Sequence, residues 1–170
     1  MNRAAQPPIV SGSKMGTRRH VFEEPFSVSP VRMFEALITP SAIRNWWGAD
    51  KAIVLPQVGG TWVASWGEDE NEPDYISSFK IVEIEPPHRL MLGEGKYFAR
   101  DGQPPFEMDK MTTEFVVEDR GPGMCALRIT QDGFPSEIVA DDFYEACVIG
   151  WKNTFEGIRK YFFDHPEETS

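Results

Sequence analysis

The chain has 170 residues, enough for one domain with short tails. Hydrophobic residues make up 41% of it and charged residues 26%, a composition that provides for a buried core and excludes a disordered polymer. The formal net charge of −10 argues against nucleic acid and against an anionic membrane surface as partners, because both attract clustered Lys and Arg.

Cysteine usage and hydropathy narrow the class of protein further. No apolar run reaches the length needed for membrane insertion, and residues 1–17 lack the apolar segment of a secretory signal. The two cysteines are too few for a disulfide framework. They have no CxxC spacing and the three histidines are scattered, so neither a metal site nor a cofactor is predicted. We therefore expect a cytoplasmic protein with reduced thiols.

A single domain is predicted over residues 18–163, between two tails. Residues 1–17 predict a flexible N-terminal tail, since Pro, Gly and Ser recur there without periodicity, and residues 164–170 predict a polar C-terminal tail. Weak alternation of apolar and polar residues over 18–26 predicts the first strand.

Two short helices are predicted directly after this strand. A Ser-Pro pair at residues 29–30 suits a helix start, because Ser caps the first turn and Pro fits its first position. A Thr-Pro pair at residues 39–40 predicts the start of the second helix in the same way. The second helix ends at a glycine that follows the adjacent Trp46 and Trp47.

Six further strands are predicted from alternating apolar residues and the turns between them. They cover residues 52–55, 61–67, 75–85, 89–93, 111–118 and 125–132. Residues 94–109 contain two adjacent prolines and no clear period, which predicts a long loop of a length that suits a flap.

A long amphipathic helix is predicted at the C-terminal end, from residue 137 to 163, with Ser136 as its cap. Its apolar residues recur at spacings of three and four, which gives one wide apolar face. Strands followed by one helix indicate an α+β fold, in which the helix covers one face of an antiparallel sheet.

Five segments, in this order along the chain, carry a resemblance to a known family. They are residues 29–40, 43–48, 59–62, 81–90 and the Gly-Trp pair at 150–151. The chain resembles the SRPBCC (START/Bet v 1-like) superfamily, and within it the family named for the activator of heat-shock-protein-90 ATPase. The resemblance implies a helix-grip fold, in which a curved antiparallel sheet of six or seven strands wraps around the long C-terminal helix. It also implies an apolar cavity between sheet and helix.

The predicted strands and helices supply residues that could line such a cavity of about 300–1,000 Å³. Most are aromatic, and those on the last helix lie four residues apart, so that they share one face. The candidate lining residues are Trp46, Trp47, Trp62, Trp66, Tyr75, Phe79, Met91, Met111, Phe115, Phe143, Cys147 and Trp151. The alternative for each of them is ordinary core packing.

Polar side chains on the same strands could orient a ligand. The candidates are Tyr75, Arg89, Thr113, Glu114 and Arg128. Their alternation does not tell which of them point inward, and Arg128 is expected to face solvent. No motif of a hydrolase, a metalloprotease or a phosphate-binding loop occurs, so no catalytic residue is assigned.

Three functions stay open, because the fold alone does not decide among them. The first is binding of a small hydrophobic molecule, such as a lipid-like, aromatic or polyketide-like compound, without catalysis. The second is an enzyme of the polyketide cyclase or aromatase type, with Tyr75, Arg89 and Glu114 as its candidate groups. The third is a co-chaperone-like interaction module, although no residue by itself establishes contact with a chaperone. Exposed sheet edges allow a homodimer but do not require one.

Overall fold

Within residues 16–103 and 106–167, which the computed structural model describes, seven strands and three α-helices follow one another as predicted. Their bounds are β1 Thr17–Phe26, α1 Pro30–Ile38, α2 Pro40–Trp47, β2 Lys51–Val54, β3 Thr61–Trp66, β4 Tyr75–Glu85, β5 Arg89–Ala99, β6 Thr112–Asp119, β7 Cys125–Pro135 and α3 Asp141–Asp164. The predicted N-terminal tail lies outside the described residues, apart from Gly16 and the first residue of β1.

The seven described strands form one antiparallel sheet in the order β1-β7-β6-β5-β4-β3-β2. β1 pairs with the last strand, while β2 to β7 are linked to their neighbours by local connections. The long C-terminal helix and the two short helices complete an α+β, helix-grip fold, which confirms the predicted fold class.

The two short helices begin as the sequence predicts. The Ser29 hydroxyl accepts a hydrogen bond from the Arg32 amide at 3.3 Å, and Pro30 occupies the first turn of α1. Gly48 ends α2 with a left-handed φ of 71°, a conformation that glycine adopts without strain. The predicted Ser136 cap of α3 is wrong, because a 3-10 turn over Ile138–Ala140 precedes that helix.

The predicted loop over 94–109 is wrong in its first part. β5 continues to Ala99, so that the connection to β6 begins only at residue 100. Two residues of β5, Glu94 and Gly95, lie opposite Phe79 of β4, since the register shifts between Ser78 and Lys80. This bulge, where Glu94 has a positive φ of 47°, interrupts the alternation from which a strand is recognised.

Indole hydrogen bonds fix the helical hairpin against the sheet. Trp46 Nε1 donates to the Ala36 carbonyl at 2.8 Å, and Trp62 Nε1 of β3 donates to the Leu37 carbonyl at 2.9 Å. α2 also crosses α3 closely at Gly157, where a Cβ atom would lie only 2.1 Å from the Trp46 carbonyl oxygen. These contacts fix Trp46 of α2 and Trp62 of β3 beside the space between α3 and the sheet.

No helix in the described part of the chain is long and apolar enough to cross a membrane. The same residues contain no group of three His, Cys, Asp or Glu side chains that could hold a metal ion. Cys125 and Cys147 are free thiols.

Candidate functional site

A cavity of about 180 Å³ lies between the inner face of the sheet and α3. Strands β3 to β7, helix α2, helix α3 and the β5–β6 connection all contribute to its wall. The lining residues are Trp46, Trp47, Trp62, Ser77, Phe79, Leu92, Tyr97, Met108, Thr113, Phe115, Gln131, Phe143, Cys147, Gly150, Trp151 and Thr154. The cavity is smaller than predicted, because aromatic rings occupy much of the space that the fold encloses.

Eight of the twelve predicted lining residues meet at this cavity. They are Trp46, Trp47, Trp62, Phe79, Phe115, Phe143, Cys147 and Trp151. The helical members come together because residues four apart share a helix face. The rings also contact one another: Trp47 packs on Trp62 with centroids 5.5 Å apart, and Phe115 meets Trp151 edge-on at 6.1 Å.

Three further predicted residues do not line the cavity. Trp66 packs edge-on against Trp47 at 5.0 Å and donates from Nε1 to the Trp47 carbonyl at 3.4 Å. Tyr75 is 41% exposed at the start of β4, where its ring stacks with Tyr97. Met111 is buried beside the start of β6 but belongs to the core outside the cavity wall.

Met91 corrects the prediction most clearly, because it lies on the outer face of the sheet. Its neighbours Leu90 and Leu92 are fully buried, and alternate strand residues point to opposite faces. The Met91 sulfur lies 4.0 Å from the Arg89 guanidinium. On the same outer face, Arg89 forms ion pairs with Glu114 at 2.5 Å and with Glu83 at 2.6 Å.

The predicted polar residues also divide between the cavity and the outer face of the sheet. Thr113 lines the cavity, whereas Arg89 and Glu114 pair with each other outside it. These ion pairs raise the pKa of Arg89 above its ordinary value, because the two carboxylates stabilise its charged form. Arg128 faces outward near Glu23, at 3.6 Å, as expected. Arg89 and Glu114 therefore cannot act on a molecule in the cavity, and the cyclase hypothesis loses two of its three candidate groups.

Sequence reasoning missed several polar lining residues. Gln131 lies opposite Thr113 in the β6–β7 pair, and Ser77 lies opposite Tyr97 in the β4–β5 pair. Thr154 of α3 donates back to the Gly150 carbonyl at 2.9 Å. A signal for Gln131 was present, because it continues the alternating buried positions of β7 that begin with Cys125, Leu127 and Ile129.

The cavity wall carries no charge at neutral pH among the described residues. Its two titratable groups are the Cys147 thiol and the Tyr97 hydroxyl. Burial raises the pKa of Cys147 to about 11, so the thiol stays protonated. Burial, and then the nearby Tyr75, raise the pKa of Tyr97 as well. The wall therefore offers rings, one thioether, a thiol and neutral hydrogen-bonding groups.

The described part of the connection between β5 and β6 contributes to one side of the cavity. Met108 lines it, and the Phe106 ring meets Phe143 of α3 edge-on with centroids 5.4 Å apart. Phe143 in turn contacts Phe134, which is fully buried on β7. Phe106 thus packs this part of the connection against α3.

The sequence profile of the family described as "Activator of Hsp90 ATPase homolog 1-like protein" matches residues 27–162. The chain belongs to this family. The match spans α1 to α3 and so includes every element that lines the cavity. Membership in the activator-homologue-like family supports a ligand-binding or Hsp90-activator-like module. No curated protein matches the chain by sequence.

Solved structures share the fold of this family member at low sequence identity. Protein MLL2253 from Mesorhizobium loti is 22% identical, with a TM-score of 0.68 over 89% of this chain and 100% of that one. PFC0360w, described as an HSP90 activator from Plasmodium falciparum, is 20% identical, with a TM-score of 0.62 over 88% and 99%. CalU16 from Micromonospora echinospora is 14% identical, with a TM-score of 0.61 over 90% and 78%.

Proposed function

We propose that this protein binds a small, mainly apolar molecule in the cavity between the sheet and α3. The observation that carries the proposal is the uncharged, aromatic wall around about 180 Å³ of space. An apolar protein cavity of about 150 Å³ is known to hold benzene, so a molecule built on one ring has the right size. The free cysteines fit action in a reducing compartment such as the cytoplasm.

The wall is held in place by contacts that do not need the ligand. Trp46, Trp62 and Trp151 each donate their indole N–H to a fixed acceptor on a neighbouring element. Rings fixed in this way lose little conformational freedom when a molecule enters, which favours binding. The same bonds give Trp its required partner in an apolar environment.

Native mass spectrometry of the freshly purified protein tests the proposal first. A non-covalent mass excess that disappears on denaturation would give the mass of a bound molecule. Titration with ethylbenzene tests the cavity directly, because a compound that binds only the folded state raises the melting temperature. A protein without mass excess and without a shift at ethylbenzene saturation would contradict the proposal.

A cavity-filling variant provides the matched comparison. Cys147→Phe places a ring in the cavity and should abolish the ethylbenzene shift. Val148→Phe adds the same ring at the next helix position, which is partly exposed and outside the wall, and should keep the shift. Equal shifts in both variants would show that ethylbenzene binds elsewhere.

Family membership and exposed apolar residues favour a second candidate, a co-chaperone-like contact. Ile138, just before α3, is 86% exposed and Ile149, in the third turn of α3, is 64% exposed. Exposed apolar side chains mark a protein-binding surface where they form one contiguous patch. At stoichiometric concentration the protein should then stimulate an Hsp90-class ATPase. Ile138→Lys combined with Ile149→Lys should remove the stimulation, and Phe163→Lys near the other end of α3 should not. No stimulation by the unmodified protein would reject this candidate.

A further inference from the structure

Two deeply buried polar side chains interrupt the apolar wall of the cavity. Thr113 of β6 is 5% exposed and Gln131 of β7 is 9% exposed. They lie directly opposite each other in the antiparallel pair, so their side chains are neighbours on the inner face of the sheet. The fold thus places an amide and a hydroxyl side by side where the other strand residues around the cavity are mostly apolar.

The orientation of the Gln131 amide follows from its partner on α3. Trp151 Nε1 donates to Gln131 Oε1 at 2.6 Å. An indole N–H can only donate, so the amide oxygen must face Trp151 and the amide NH₂ is left with two donors. Within residues 16–103 and 106–167, neither Gln131 Nε2 nor Thr113 Oγ1 makes a hydrogen bond.

Unpaired donors in a buried wall favour one kind of ligand over others. Buried polar groups are almost always hydrogen-bonded, so a ligand that supplies an acceptor satisfies Gln131 and Thr113. A purely apolar ligand leaves them unpaired. A charged ligand loses its hydration without gaining an opposite charge, since no charged side chain among the described residues lines the cavity.

We propose that the ligand is a neutral molecule whose ring or short apolar body carries a hydrogen-bond acceptor, such as a carbonyl oxygen, at the end that meets Gln131 and Thr113. The proposal rests on the proposed function and specifies the chemical class of its ligand. Gln131 acts as the main donor, held in position by Trp151, and the Thr113 hydroxyl acts as the second.

Two compounds of the same shape separate the acceptor from the apolar body. Acetophenone carries a carbonyl oxygen where α-methylstyrene carries a CH₂ group. Their dissociation constants would be measured by calorimetry with the wild-type protein and three variants. Gln131→Met keeps the side-chain length and a weak acceptor for Trp151 but removes both donors. Thr113→Val removes only the hydroxyl, and Thr112→Val makes the same change on the other face of β6.

The expected result is a change specific to the ketone. Gln131→Met should weaken acetophenone binding about tenfold, the effect of leaving one buried group unpaired. It should leave α-methylstyrene binding unchanged or tighter. Thr113→Val should act in the same direction by a smaller factor, and Thr112→Val should change neither compound.

The outcomes distinguish this inference from the proposed function. If α-methylstyrene binds but acetophenone does not, or if Gln131→Met and Thr113→Val shift both compounds equally, the cavity is a binding site and the acceptor requirement is wrong. If neither compound binds the wild-type protein although ethylbenzene does, the acceptor requirement is again wrong. If none of the three compounds binds and native mass spectrometry finds no mass excess, the proposed function fails and the ligand class fails with it.

Discussion

Trp151 and Gln131 form the link between the long helix and the sheet inside the cavity, through a hydrogen bond of 2.6 Å from the indole Nε1 to the amide Oε1. Both side chains are more than nine-tenths buried. The Trp151 ring also meets Phe115 of β6 edge-on. The bond therefore helps to orient α3 on the sheet and holds a large ring in the cavity wall. It also sets the direction of the Gln131 NH₂ donors.

Removing either partner of this bond should destabilise the fold, and removing both should cost less than the sum. Trp151→Phe keeps an aromatic ring but leaves the Gln131 oxygen unpaired, and Gln131→Met leaves the indole with a weak acceptor. We expect about 1–2 kcal/mol of coupling between the two changes. Urea unfolding of the wild type, both single variants and the double variant measures it. Strictly additive losses would show that the pair does not interact in solution.

The crossing of α2 over α3 depends on a missing side chain at Gly157. Gly157→Ala would bring a Cβ to 2.1 Å from the Trp46 carbonyl oxygen, and backbone atoms cannot yield cheaply. We expect a loss of about 2 kcal/mol or more, since the two helices must separate.

Gly150→Ala is the matched control on the same helix, because nothing lies within 4 Å of the Cβ that it adds. This substitution should stabilise the protein by about 0.5–1 kcal/mol through helix propensity. Thermal unfolding of the two variants provides the comparison. A Gly157→Ala protein as stable as wild type would mean that α2 and α3 lie further apart than described.

The bulge in β5 also depends on a glycine, and it shapes the cavity. A Cβ at Gly95 would lie 2.9 Å from the Phe79 ring, which lines the cavity. Gly95→Ala should push that ring into the cavity and weaken ethylbenzene binding about tenfold. Gly93→Ala makes a similar clash on the outer face, 2.8 Å from a Val82 methyl group, and should destabilise the fold without weakening binding. If both variants weaken ethylbenzene binding equally, the loss reflects the sheet as a whole and not the Phe79 ring.

The periodicity of helices and strands decides which residues of this site can be predicted from the sequence. Phe143, Cys147 and Trp151 were predictable because one period governs the whole helix. The prediction for Met91 was wrong because alternation alone does not tell which set of strand residues faces the core. The fully buried Leu90 and Leu92 on either side show that Met91 faces outward. The alternation of β7 places Gln131 on the inner face of the sheet, but its role as a donor depends on the bond from Trp151, which only the packing of α3 on β7 creates.

Cys147 lines the cavity as a protonated thiol, so its reactivity should report on the cavity. Burial raises its pKa to about 11, and because the thiolate is the reactive form, iodoacetamide should modify it far more slowly at pH 8 than it modifies a free cysteine. The rate should rise about tenfold per pH unit up to that pKa. The Cys125→Ala substitution removes the other cysteine, and mass spectrometry then measures the modification of Cys147. Saturating ethylbenzene should slow the reaction further. A rate that levels off near pH 9, or that ethylbenzene does not change, would place Cys147 outside the binding cavity.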